Sequence, residues 1–291
     1  MSKATRLSPP ASRLPMFLQC GRFKLSLERP LVMGVVNITP DSFSDGGLFA
    51  DTARAVAHAH RLIGEGADIL DLGGESTRPG AAPVSLDEER RRVLPVLEAL
   101  AAGGVPVSVD TRKPGLMREA ISAGAAMVND VTALSAPGAL EAAAKAPVAG
   151  CLMHMQGEPG TMQANPGYQN VVREVLDYLD GRITAAEQAG IARDRIVVDP
   201  GFGFGKTLEH NLSLLTSLRE FRSLGVALLV GLSRKAMLGK LTGREPRERV
   251  HASVAAALVA VQNGAQIVRV HDVAATRDAL AVWTAVMSHG T

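Results

Sequence analysis

Eight short apolar runs in this chain each end in residues able to bind or polarise a substrate. In chain order these are Asn37, Asp71 with Glu75, Asp110, Asn129 with Asp130, His154, Asp199, Ser233 with Lys235, and Arg269 with His271. The amino ends of the same runs carry no such concentration, so general loop polarity does not account for the set. Asp110, Asn129 and Asp199 supply two carboxylates and an amide. Brought together, they suit a flat face with several N–H donors, such as a 2-aminopyrimidinone edge. Lys235, Arg269 and His271 are cationic and suit a phosphate or pyrophosphate. The two chemistries imply a donor-rich heterocycle at one end of a ligand and an anion at the other. Asn37 lies with the basic group, where its neutral oxygen suits a Mg²⁺ held on those phosphates.

These residues need a scaffold that gathers strand ends from distant parts of the chain. The strand candidates are 31–36, 68–72, 105–109, 126–130, 148–153, 195–199, 226–231 and 266–270. Amphipathic stretches follow them at 52–64, 85–101, 113–123, 136–146, 169–189, 208–222, 247–263 and 272–287. Asp51, Ser85 and Asp272 are candidate N-caps, and Gly64, Gly103, Gly124, Gly190 and Gly264 sit at helix stops. Eight βα units without a break in composition predict an α/β fold of the (β/α)8 TIM-barrel type, whose active sites lie at the carboxyl ends of the strands. Segment 18–28 alternates around Gly21 and reads as a short N-terminal β-hairpin plugging the bottom of the barrel. Residues 1–17, rich in Ser, Pro and Arg, read as a disordered tail, and 18–291 as a single domain.

Several loop residues are expected to touch ligand. Phe43, Phe49, Phe202 and Phe204 all fall in segments read as loops, where core packing does not explain them, and Phe204 between glycines suits stacking on a flat ring. Gly201, Gly203 and Gly205 let backbone approach a ligand, but Pro200 replaces the glycine a Walker loop needs. Lys206 reads as an exposed structural lysine, with a phosphate contact as the alternative. His154 is a candidate for direct contact, and Met153 for packing under a ring. Arg90–Arg92 follow Asp87–Glu89 in helical register and read as a solvated face.

The bulk composition narrows the function class. Hydrophobic residues make up 46% of the 291 residues, which excludes a disordered chain, and the net charge of +2 comes with no basic stripe for nucleic acid. Cys20 and Cys151 are too few for a disulfide framework, and no segment reads as a signal peptide or membrane span. A cytoplasmic enzyme acting on small molecules is the expectation.

The segments NITPDSFSDGG, ESTRPGA, SVDTRK, VNDV, LMHMQG, DPGFGFGK, SRK and RVHDV stand in the order and spacing of the dihydropteroate synthases, and from about residue 31 to 285 the chain resembles that family. The resemblance, to a family that is the target of the sulfonamides, implies condensation of 6-hydroxymethyl-7,8-dihydropterin pyrophosphate with 4-aminobenzoate, and a homodimer. It implies that Asp110, Asn129, Asp199 and Lys235 hold the pterin, with Met153 and Gly205 in the pocket. It further implies that Asn37 is the Mg²⁺ ligand and that Arg269 and His271 hold the leaving pyrophosphate. Thr77, Arg78 and Pro79 would flank the substrates, with Phe204 and Lys235 also near the aminobenzoate. Ala236 departs from the serine found in many members. The catalytic set would be Asp110, Asp199, Lys235, Arg269 and His271.

Three alternatives share parts of this pattern. Methyltetrahydrofolate-dependent methyltransferases use a pterin pocket but need neither the Arg269/His271 anion site nor ESTRPG. A non-catalytic pterin-binding paralogue is expected to lose Asn37, Asp110 or Lys235. A Schiff-base aldolase needs a desolvated lysine, and the flanking Ser233 and Arg234 offer Lys235 no apolar surroundings.

Overall fold

Seven residues, Leu31–Asn37, form a strand buried at all but its last position, the pattern of a strand covered on both faces. The structure is a computed structural model that describes residues 15–38, 47–76 and 83–289. Leu31–Asn37 (β3) is followed by Ile69–Gly73 (β4), Val107–Asp110 (β5), Met127–Asp130 (β6), Ala149–Met153 (β7), Ile196–Asp199 (β8), Ala227–Val230 (β9) and Ile267–Val270 (β10). These eight are parallel and close on themselves, β10 pairing with both β3 and β9. The expected TIM barrel is therefore present. Ahead of it, Phe17–Cys20 (β1) and Phe23–Ser26 (β2) form an antiparallel pair around Gly21, the expected hairpin. Strand β1 begins one residue before the domain boundary read from sequence, and residues 1–14 lie outside the described residues.

The helices between strands are Gly47–Gly64 (α1), Leu86–Leu100 (α2), Pro114–Ser122 (α3), Ala139–Ala144 (α4), Val171–Gln188 (α5), Leu208–Thr216 (α6), Ala236–Thr242 (α7), Val250–Gln262 (α8) and Val273–His289 (α9). Ser85 caps α2 as expected, its side chain accepting from Glu88 N at 3.2 Å. Asp51 does not cap α1: the helix starts four residues earlier, so Phe49 is helical and not in a loop. Asp272 directs its carboxylate to Arg234 in a two-point contact at 2.5 and 3.0 Å. The stretch 208–222 breaks after Thr216 into 3-10 turns, and α7 was not anticipated because 236–242 is short and glycine-containing. Arg90 and Arg91 bond Asp87, Glu88 and Glu119 on a charged face as expected, but Arg92, its side chain 14% exposed, turns inward and donates to Gly74 O at 2.8 Å as well as to Glu88.

The core has two kinds of layer. Between barrel and helices lie broad apolar clusters, each buried aliphatic side chain contributing roughly 1.5–3 kcal/mol. Inside the barrel, Met33, Ile69, Met127, Cys151, Val197 and Ile267 meet Leu18, Cys20 and Leu27 of the hairpin. That packing seals the amino end of the barrel. The opposite end is left for polar residues.

Candidate active site

Register brings the carboxyl-end residues to one level. Asn37 pairs with Gly73, Gly73 with Asp110, and Asp110 with Asn129, so neighbouring strands deliver their polar residues side by side. Across the barrel Met153 pairs with Asp199. Gly73 leaves a gap between its neighbours: a Cβ there would sit 3.7 Å from Asn37 Oδ1 and 3.9 Å from Asp110 Cβ.

At the centre stands Arg269. Its Nε donates to Asp71 Oδ2 at 2.6 Å and its terminal nitrogen to Asp110 Oδ2 at 3.0 Å. Asn129 Nδ2 donates to the same Asp71 oxygen at 3.2 Å. Asp71 is fully buried, and its other oxygen has no hydrogen-bond partner among the described residues. Sequence reading set Arg269 beside His271, across the mouth from the carboxylates. The fold instead threads its guanidinium between two of them, while His271 bonds Ser233 through its backbone N at 3.2 Å and its Nδ1 at 3.0 Å.

Burial dominates the electrostatics here. It pushes the Asp110 carboxyl up to about 7, opposed by Arg269 and assisted by the like charges of Asp71, Glu89 and Asp130. Asp199 is raised for the same reason, opposed by Lys235 and by the Gly201 N–H, which donates to its Oδ1 at 2.8 Å. Lys235 is pulled down to about 8 by burial, with Asp199 acting against the shift. Its desolvation comes from the barrel mouth, not from its chain neighbours, which corrects the expectation drawn from Ser233 and Arg234. Lys235 Nζ donates to Phe202 O and lies 4.4 Å from the Phe204 ring centroid.

Other expectations change. Phe202 is fully buried in the outer core and cannot stack on a ligand. Lys206 is neither exposed nor turned toward the mouth: it is 3% exposed, its Nζ bonded to His154 Nδ1 at 2.9 Å. His154 is thereby engaged inside the protein. Asp130 shapes its own loop, accepting from Thr132 N and Leu134 N at 2.8 and 2.9 Å. Thr77, Arg78, Pro79 and Phe43 lie outside the described residues. A cavity of about 250 Å³ opens beside Asp110, bounded by Glu75, Thr111, Arg112 and Glu158.

Asp71 is the site residue to which sequence reading gave no role. It was visible as a carboxylate inside an apolar strand, but its partner lies 198 residues away and leaves no local signal.

Among the described residues, no cluster of three or more His, Cys, Asp and Glu could hold a metal by itself. An ion at Asn37 would need oxygen ligands from a substrate phosphate and water. One neutral side-chain oxygen beside the gap at Gly73 fits that mode of Mg²⁺ binding.

The profile of the family described as "Pterin binding enzyme" matches residues 33–271. The dihydropteroate synthase of Neisseria meningitidis serogroup B is 55% identical over 275 residues, covering 92% of this chain and 96% of that protein. The solved Xanthomonas albilineans dihydropteroate synthase with 4-aminobenzoic acid is 56% identical at a TM-score of 0.88, covering 94% of this chain and 98% of that one. The same enzyme in complex with 7,8-dihydropteroate superposes at a TM-score of 0.85 with 53% identity, covering 93% and 98%. A barrel whose mouth gathers Asp110, Asn129, Asp199, Lys235 and Arg269, matched over almost its whole length by such relatives, belongs to the dihydropteroate synthase family of pterin-binding enzymes.

Proposed function

We propose that this chain is a dihydropteroate synthase, joining 6-hydroxymethyl-7,8-dihydropterin pyrophosphate to 4-aminobenzoate to give 7,8-dihydropteroate and pyrophosphate. The observation that carries this reading is the joined set of Asp110, Asn129, Asp71 and Arg269, with Asp199 and Lys235 on the opposite strands. Carboxylate and amide oxygens accept from the pterin N–H groups, and Lys235 donates to its carbonyl oxygen or ring nitrogen. The C–O bond to pyrophosphate breaks, leaving positive charge on the pterin methylene and ring. Asp110 and Asp199, fixed before reaction, stabilise that charge. The arylamine nitrogen then forms the new C–N bond and releases its proton to solvent or to the departing anion. It is already nucleophilic, so it needs orientation and no strong base.

Phe204 and Lys235 form the arylamine end of the site, with Thr77, Arg78 and Pro79 as further candidates. Met153 lines the pterin pocket, and Gly205 lets the loop backbone approach it. Arg269 contacts both halves of the substrate, and His271 the pyrophosphate. Asn37 would hold Mg²⁺, which when bound neutralises charge on the leaving pyrophosphate. Two buried free cysteines fit a reducing cytoplasm. The neighbouring helices α8 and α9 expose Val259, Val282, Val286 and Met287, an apolar surface that supports a homodimer.

A coupled assay of pyrophosphate release tests the reaction. Release that requires both the pterin pyrophosphate and 4-aminobenzoate supports it. Release independent of the arylamine, or none at all, overturns it.

A further inference from the structure

The loop between β8 and α6 carries Phe204 and is pressed against the exit of β7. Gly201 has φ +70°, and a Cβ on it would fall 1.8 Å from His154 O. Gly205 has φ +61°, and a Cβ there would fall 2.4 Å from Gln156 O. No side chain fits at either position, so the backbone path is fixed by contact.

Lys206 lies under this loop. Its Nζ reaches four acceptors: His154 Nδ1 at 2.9 Å, Gly201 O at 3.0 Å, Phe204 O at 3.0 Å and, more distantly, His154 O at 3.3 Å. An ammonium has three protons and no acceptor, so the four acceptors share them and the His154 ring must be neutral to accept through Nδ1. Burial and the adjacent Lys206 pull the His154 imidazole down to about 3, which keeps it neutral. Tyr178 meets the ring edge-on with centroids 4.9 Å apart, limiting its rotation. A buried lysine held this way costs desolvation: burial, helped by the charge of Lys235 and opposed by Asp199, pulls it down to about 7. A helix or strand would not need it. The loop does, because its carbonyls face inward without a ladder to receive them.

The outer side of the same four residues meets Lys235. Phe202 O accepts from Lys235 Nζ, a Cβ on Gly203 would lie 3.3 Å from Lys235 Cδ, and the Phe204 ring lies 4.4 Å from Lys235 Nζ. One lysine therefore fixes the carbonyls at 201 and 204 from within, while the other rests on 202 to 204 from the mouth. A shift of the inner peg moves both faces of the outer pair.

We propose that Lys206 is a positioning residue that sets Phe204 and Lys235 for the arylamine substrate. The proposal rests on the synthase reading given above. It also replaces both sequence readings of Lys206, an exposed structural lysine or a phosphate contact, with an internal role.

The test is steady-state kinetics of Lys206→Met and Lys206→Gln beside the unaltered protein, varying each substrate separately. Lys206→Met keeps length and loses all three donors, and Lys206→Gln restores part of the donor set. The expected result is a KM for 4-aminobenzoate raised about tenfold or more in Lys206→Met, from displacement of the pair. The KM for the pterin pyrophosphate, which Lys235 also contacts, should rise less, because Asp110, Asn129 and Asp199 still hold the ring, and Lys206→Gln should fall between. Equal rises in both KM values, or a lower thermal midpoint with unchanged kinetics, overturn the proposal and leave Lys206 a stabilising group only. If Lys206→Met does not fold, the same split or its absence in Lys206→Gln decides. An inactive unaltered protein would count against the synthase reading itself, which keeps the two failures distinct.

Discussion

At the scale of single residues, Arg269 bears the heaviest duty. It neutralises Asp71, which has an orphaned buried oxygen, and Asp110, which burial already pushes toward its protonated form. Truncating one partner of a buried charge cluster costs about 3–5 kcal/mol, because the remaining charges are left in low dielectric. Arg269→Ala is therefore expected to lower the unfolding free energy from urea titration by an amount in that range, and the midpoint with it, besides weakening ligand binding. Arg269→Lys should rescue little, since a single ammonium does not reproduce the planar fork that reaches two carboxylates. Asp71→Asn should cost less than Arg269→Ala, because it removes charge while leaving an oxygen for Asn129. Urea titration of the three variants gives the order, and an Arg269→Ala midpoint equal to the unaltered protein's would refute the buried cluster. Each of these residues was legible as a candidate because a strand end exposes its type in the sequence, although Asp71 received no specific role. Their partnerships were not legible. Whether Arg269 faces a phosphate or a carboxylate depends on which side chain the opposite strand delivers, and that strand lies about half the chain away.

The elements divide labour between the two ends of the barrel. Leu18 and Cys20 of the hairpin fill the bottom against Met127, Ala149 and Cys151, far from the carboxyl ends. Leu18→Ala should then cost about 2–5 kcal/mol through the cavity it leaves, while kcat/KM for both substrates stays within twofold of the unaltered value. A loss of kcat/KM without loss of stability would place the hairpin in the working part of the enzyme. The strands were readable because parallel, doubly covered strands are uninterrupted apolar runs, as in Val32–Val36 and Ile196–Val198. The hairpin was readable because Leu18 and Cys20, then Phe23, Leu25 and Leu27, keep period two on either side of the turn glycine Gly21. Helix α7 was not: seven residues with an internal glycine give too short a window for a 3.6-residue period. Phe202 misled for a related reason. It belongs to a loop by dihedrals but to the core by burial, and only the third dimension brings Phe221 and Leu214 around it. Lys206 misled likewise, since a lysine among glycines ordinarily reads as solvated.

Across the whole molecule, the shifted groups set two pH dependences, one for activity and one for stability. For activity, the competent form has Asp110 ionised to face the pterin charge and Lys235 protonated. Asp110 gains its proton as pH falls through about 7, and Lys235 loses its proton as pH rises through about 8. The profile of kcat/KM is then a narrow bell between those limbs, and Asp110→Asn should abolish the acid limb along with most of the rate. For stability the signs reverse. Asp110 in the folded protein keeps a proton that the unfolded chain has lost, so its contribution declines as pH rises from the ordinary carboxylate range to about 7. Lys206 and Lys235 hold protons less tightly when folded, down to about 7 and about 8, so their penalty is full at low pH and lifts as pH rises toward the ordinary lysine range. His154, held neutral down to about 3, works against Asp110 below neutral pH, so the alkaline rise is the arm these groups set without opposition. Urea midpoints should therefore be higher at about pH 9 than at about pH 7. Lys206→Met, which removes one of the two lysines, should flatten the rise on the alkaline side. A midpoint that instead falls steadily from about pH 7 to 9 would show that the buried lysines stay charged, and the basic limb of the activity profile would then have to come from another group.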